Sequence, residues 1–272
     1  MSDAVRIDRT GPGGAVARVT INRPEQRNAL STEVIDGLAA AFAGFAAEPA
    51  ERLRAVVLAG EGRAFCAGAD VAWMQAATRM TRDENEDQAA TLGHVFLAID
   101  ACPVPVVARV QGPALGGGAG LLCIADVVIA EARAVTGFPE VRLGLAAATI
   151  APYVVRRIGE GQARALFTTG VRIDAVEAQR VGLVNWVVEG TDALDAAVDE
   201  AVDGILAGAP VAVRAAKALA RDLALGQAGP LARYPEAMAS RLADRRAHPE
   251  AAEGLAAFLE RRRPSWAPGK DA

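Results

Sequence analysis

The sequence predicts an α/β fold: a mixed strand-and-helix core over residues 1–190 and an all-helical region over residues 191–272. Strand and helix patterns alternate in the first part, and only helical patterns follow Asp192. A length of 272 residues with 52% hydrophobic content supplies one large core. With only 4% aromatic residues, that core is built mainly from Ala, Val, Leu and Ile.

The elements follow in order. Residues 11–14 form a turn. Residues 15–21 (AVARVTI) alternate as a strand does. Asn22-Arg23-Pro24 turns the chain. Ser31 is placed to cap a helix with Glu33 in its first turn and Leu38, Phe42 and Phe45 at helical spacing. Residues 54–58 are a short strand closed by Gly60 and Gly62, and residues 64–70 (AFCAGAD) are a turn of small residues. Residues 73–99 read as mostly helical, with a charged stretch at 79–87 that is either a mobile loop or a solvated face. Pro103 and Pro105 stop that helix. A strand at 104–110 leads into the glycine-rich QGPALGGGAG of residues 111–120, a buried helix at 121–125, a strand at 127–130 and a turn or extended piece at 137–144. Helices are expected at 150–158, 162–169 and 175–181, and a strand at 183–188. Breaks near Ala209-Pro210, Gly229-Pro230 and His248-Pro249 divide the remainder into four helices.

The residue inventory removes whole chemistries. The chain has two histidines, His94 and His248, and three cysteines, Cys66, Cys102 and Cys123. Neither an H-E-x-x-H nor a paired C-x-x-C occurs, so no metal site is expected. The scattered, odd cysteine set points to a reducing compartment. None of Ser2, Ser31, Ser240 and Ser265 lies in G-x-S-x-G, and the only lysines are Lys217 and Lys270. A net charge of −4 argues against nucleic acid, and no uninterrupted apolar run is long enough for a membrane span. A cytoplasmic enzyme of this composition works with carboxylates, arginines and backbone amides.

Two segments gather small residues after a strand: Ala67-Gly68-Ala69-Asp70, and Leu115 followed by Gly116, Gly117, Gly118, Ala119 and Gly120. Minimal side chains let a ligand approach the backbone, and free N–H groups point outward where a helix starts. Two such groups converging on one point make an oxyanion hole. Each turn alone is equally readable as tight packing. A dinucleotide loop fails, because Leu121 stands where G-x-G-x-x-G counted from Gly116 needs glycine.

The ordered set is more specific. Asn22-Arg23-Pro24, AFCAGAD, ALGGGAG, PEVRLGL at 139–145, AVEAQRVGLVNWV at 175–187 and EGLAAFLERRRPSW at 253–266 span nearly the whole chain. In this order they resemble the crotonase (enoyl-CoA hydratase/isomerase) superfamily. The stretch 138–159 is most similar to its methylglutaconyl-CoA and isohexenylglutaconyl-CoA hydratases.

The resemblance implies a spiral of ββα units with a helical C-terminal oligomerisation region, a homotrimer or dimer of trimers, and an acyl-CoA thioester as substrate. No cofactor is implied beyond the coenzyme A that the substrate carries. It places the thioester oxygen between the backbone N–H groups of Ala69 and Gly117. It leaves Glu140 as acid/base, because the position of the family's other glutamate is Gly120. Coenzyme A contacts are implied at Gln26, Arg27, Ala67, Gly68, Asp70 and Gly116, and at Phe258 and Arg261 near the C-terminus. The residues themselves allow other roles: Asp70 as a helix cap, Glu140 as a turn carboxylate paired with Arg142, Trp73 and Met74 as helix packing. The activity implied is hydration of a 2-enoyl-CoA, with 3-enoyl to 2-enoyl isomerisation or a catalytically silent acyl-CoA binder as alternatives.

Overall fold

The structure is a computed structural model describing residues 3–267. It opens with a hairpin, β1 (Val5–Thr10) antiparallel to β2 (Val16–Ile21), joined by the turn at residues 12–14. The first strand had no sequence signal. Five of its six residues are exposed, so it carries no alternation of buried and solvated positions.

Helix α1 (Thr32–Ala46) buries Val34, Ile35, Leu38, Ala41, Phe42 and Phe45. Ser31 precedes it as expected but does not cap it: its hydroxyl donates to Glu33 Oε2 at 3.4 Å and leaves the helix amides alone. After β3 (Ala55–Gly60), the long helical reading of residues 73–99 divides into α2 (Val71–Ala77) and α3 (Arg82–Asp100). Thr81 and Glu84 form a capping box at the break, so the charged stretch is the solvated first turns of α3. The chain continues through β4 (Val106–Val110), the two-residue β5 (Ala114–Leu115), α4 (Gly117–Ile124), β6 (Val127–Glu131) and β7 (Val135–Gly137). A 3₁₀ turn, Pro139–Leu143, precedes α5 (Ala151–Thr169), which is interrupted at Gly159 where φ reaches 76°. Then come β8 (Arg172–Asp174), too short to show in the sequence, α6 (Ala175–Arg180) and β9 (Trp186–Val188). The helices α7 (Thr191–Ala207), α8 (Pro210–Ala224), α9 (Tyr234–Ala247) and α10 (Pro249–Leu259) follow, broken where the prolines required.

Six strands form one sheet in the order β1-β2-β3-β4-β6-β9, parallel from β2 onward. Three form a second, β5-β7-β8. From β2 to β6 the large sheet is buried on both faces, which is why these strands read as runs of Val, Ile and Ala. Val16, Ala55, Val57, Val107 and Ile129 meet Leu194, Val198, Val202 and Leu206 of α7 on one face. Val19, Val56, Leu58, Val106, Ala108 and Val128 face the larger core that α1, α3, α4 and α5 complete. The helix α7 is thus packed against the sheet itself. Beyond it the attachment changes character, since α8 and α9 bury no residue fully.

Candidate active site

Three chain segments run side by side at the ends of β3, β5 and β7. Cys66 bridges Ala114 and Leu30 bridges Ala69, both in parallel fashion. The Leu115 N–H donates to the Cys66 carbonyl at 3.0 Å, and the Gly116 N–H to the Gly137 carbonyl at 2.9 Å. Two buried side-chain amides secure the approach. Asn28 donates to the carbonyls of Glu61 and Ala64, and Gln111 to those of Gly60, Gly62 and Ala64.

The two sequence-predicted turns therefore meet. A Cβ on Gly68 would lie 2.8 Å from the Leu115 carbonyl oxygen and 3.6 Å from the Gly117 nitrogen, and a Cβ on Gly118 only 2.1 Å from the Cys66 oxygen. Gly68 (φ 96°) and Gly116 (φ 51°, ψ −122°) hold backbone conformations that a side chain disfavours. Gly117 begins α4. Neither the Ala69 nor the Gly117 N–H donates to any protein group among the described residues.

Glu140 comes to the same place. A Cβ on Gly116 would sit 3.0 Å from Glu140 Oε1 and 3.9 Å from the Gly68 α-carbon. The other carboxylate oxygen, Oε2, is buried without a hydrogen-bond partner. Burial pushes the Glu140 carboxyl above the ordinary carboxylate range, opposed in part by its own backbone amide. The carboxyl group makes no ion pair among the described residues, with Arg142 or any other cation.

The other expected residues divide. Asp70 caps α2 by accepting from the Ala72 and Trp73 amides, and its second oxygen takes the Arg23 guanidinium at 3.0 Å. That guanidinium holds the Asp70 carboxyl below its usual range. Gln26 and Arg27 are exposed beside the first turn, with the Arg27 carbonyl accepting from the Ala67 N–H at 2.9 Å. Phe258, 81% exposed, and Arg261 lie at the end of α10, which packs on α9. Burial pushes the Cys66 thiol up to about 12, removing it as a nucleophile. His248 accepts from the Glu250 amide, and His94 is exposed on α3, so neither serves this site.

One part of the site was invisible in the sequence. A Cβ on Gly120 would lie 2.6 Å from Ile150 Cγ2 and 3.0 Å from Phe96 Cε1, and one on Gly117 3.0 Å from Leu30 Cδ1. These three side chains come from α1's approach, α3 and the start of α5. They wall α4 with hydrocarbon, and only the tertiary fold places them together.

The α/β fold, with a carboxylate beside two glycine turns, is of crotonase type. The family model for enoyl-CoA hydratase/isomerase matches residues 12–269, and the chain belongs to that family. The short-chain-enoyl-CoA hydratase of Clostridium acetobutylicum is 36% identical over 206 residues, 75% of this chain and 77% of its own. Among solved structures, Pseudomonas aeruginosa AtuE superposes with a TM-score of 0.91 at 37% identity, covering 97% of this chain and 100% of that one. An enoyl-CoA hydratase/isomerase from Marinobacter aquaeolei gives 0.89 at 34% identity, covering 98% and 100%. No helix among the described residues is long and apolar enough to cross a membrane.

Proposed function

We propose that this enzyme adds water across the double bond of a 2-enoyl-CoA thioester, with Glu140 as its one acid/base. The observation that carries the proposal is Glu140 Oε1 3.0 Å from where a Cβ on Gly116 would sit, with Gly116 directly before the helix start at Gly117 and its would-be Cβ 3.9 Å from the Gly68 α-carbon. The Glu140 carboxylate takes a proton from water as the oxygen adds to C3. The electron pair of the double bond moves onto the thioester oxygen, where the two N–H groups stabilise the enolate. Each such donor is worth about 3–4 kcal/mol in comparable sites. The Glu140 carboxylic acid then returns its proton to C2 and restores the carboxylate. The raised affinity of Glu140 for protons suits the first step, in which it takes one from water.

Gln26, Arg27, Ala67, Gly68, Asp70 and Gly116 line the thioester and coenzyme A path in this reading. Phe258 and Arg261 contribute from α10, in a trimer or dimer of trimers. The exposure of Leu255, Phe258 and Leu259 supports burial of that helix against another copy.

The hydrocarbon at Gly120 favours a second reading on the same atoms. Glu140 removes a C2 proton from a 3-enoyl-CoA and delivers it to C4, a shift that consumes no water. A paired assay decides. Supplying a 2-enoyl-CoA should cause loss of its conjugated absorbance. Activity only on a 3-enoyl-CoA, seen as a gain of that absorbance, replaces hydration with isomerisation. Binding of both thioesters without turnover overturns both.

A further inference from the structure

We infer that Ile150, backed by Phe96, is the residue that holds this site to a single carboxylate. The inference rests on the reading of Glu140 as the acid/base. Gly116 and Gly120 are one helical turn apart and joined by a 2.9 Å hydrogen bond from the Gly120 N–H to the Gly116 carbonyl. Gly116 is the N-cap of α4, and Gly120 lies one turn inside the helix. Gly116 faces the Glu140 carboxylate, and position 120 is where the family resemblance puts the second glutamate, so its side-chain direction is the one a second carboxylate would need. That direction is closed. Ile150 Cγ2 and Cβ stand 2.6 and 3.0 Å from where a Cβ would be, and Phe96 Cε1 3.0 Å away.

The wall is fixed. Ile150 is 3% exposed and Phe96 fully buried. Ile150 is the residue before the first turn of α5, with its carbonyl accepting from the Tyr153 and Val154 amides. Phe96 stacks on Tyr153 with ring centroids 6.0 Å apart. A β-branched side chain has little rotamer freedom with which to retreat. The absence of a second acid is therefore built in twice: by the glycine at position 120, and by an isoleucine that occupies its space. Replacing the glycine alone cannot restore a two-carboxylate site. Space opened at Ile150 is a precondition, which makes Ile150 the specificity-determining residue between one-carboxylate and two-carboxylate chemistry. Among the described residues Glu140 makes no ion pair, and burial is what raises its proton affinity, so a carboxylate introduced at position 120 would add a charged neighbour.

The test compares Gly120→Glu, Ile150→Ala and the double variant. Gly120→Glu alone should lower Tm by roughly 5 °C or more through overpacking. The double variant should lose less than the sum of the two single losses. The titration of Glu140, followed by ¹³C NMR of its carboxyl carbon, should move upward in the double variant relative to Ile150→Ala, because two carboxylates then share the site. Its kcat for 2-enoyl-CoA hydration should rise about tenfold above that of Ile150→Ala. A Gly120→Glu protein with the wild-type Tm overturns the inference. So does a double variant whose Tm loss is additive and whose Glu140 titration is unmoved. Should the wild type turn over no enoyl-CoA, the acid/base reading of Glu140 fails, while Tm and titration still decide whether Ile150 holds the space of the second carboxylate.

Discussion

In the two site turns backbone lies against backbone, whereas the helix α8 is tied to the core by arginine and lysine side chains. Gly68 and Gly118 let residues 66–69 and 114–118 approach until no Cβ fits between them. The helix α8 instead presents Lys217 to Asp126 at 2.6 Å and to the Val104 carbonyl at 2.9 Å, and Arg221 to Asp100 at 3.0 Å. Arg214 reaches the carbonyls of Glu48, Pro49 and Leu53. A groove of about 1080 Å³ runs along α8 and α9, and none of its lining residues belongs to the site turns. The first region derives its geometry from what is missing and tolerates no addition. The second depends on long charged side chains that can be exchanged one at a time.

The comparison predicts unequal responses to substitution. The largest is expected at Gly118→Ala, where the new Cβ would meet the Cys66 oxygen at 2.1 Å. A loss of about 3 kcal/mol or more in unfolding free energy follows, because backbone on both sides must move. A variant of near wild-type stability in urea titration would mean that the turns are less tightly joined than described. Next is Asp100→Ala, which strips the carboxylate shared by Arg156 and Arg221. The expected cost is about 2 kcal/mol, less than for a fully buried pair, because both arginines keep contact with water. Lys217→Met should cost about 1 kcal/mol by the same assay and leave kcat within about twofold, since α8 is loosened and the turns are not touched. A large fall in kcat there would join the two regions that the comparison separates.

The smallest effect concerns pH. Burial raises the proton affinity of Glu140 in the folded chain. Its contribution to stability is complete below the ordinary carboxylate range and is lost as pH rises through its own, higher value. Glu140→Gln should therefore raise Tm slightly at neutral pH, with the gain vanishing in acid. A gain that grows toward acid would reverse the sign assigned to this carboxyl.

How much was legible in the sequence follows the same division. The site turns were readable because their small residues cluster within a few positions after a strand, although the atoms that need them small lie elsewhere in the chain, at Leu115, Glu140 and Leu30, and Pro139-Glu140 follows the strand that delivers it. The four C-terminal helices were marked by Pro210, Pro230 and Pro249. β1 was not legible because only Val5 of its six residues packs against the core, and β5 and β8 because two or three residues carry no period. Ser31 misled because a hydroxyl at a helix start has more than one partner within reach, and Glu33 took it. The wall at Gly120 was beyond reach for a different reason. Phe96 and Ile150 lie 24 residues before and 30 residues after it, and only packing brings them together.

The central claim is that one carboxylate does the proton transfers while backbone amides hold the enolate. Steady-state hydration of a 2-enoyl-CoA by Glu140→Gln, beside its Tm, tests it most directly. A folded variant with kcat lowered about a hundredfold or more is the predicted result. Turnover within about threefold of wild type would contradict it, and would leave Glu140 as a turn residue with no part in the chemistry.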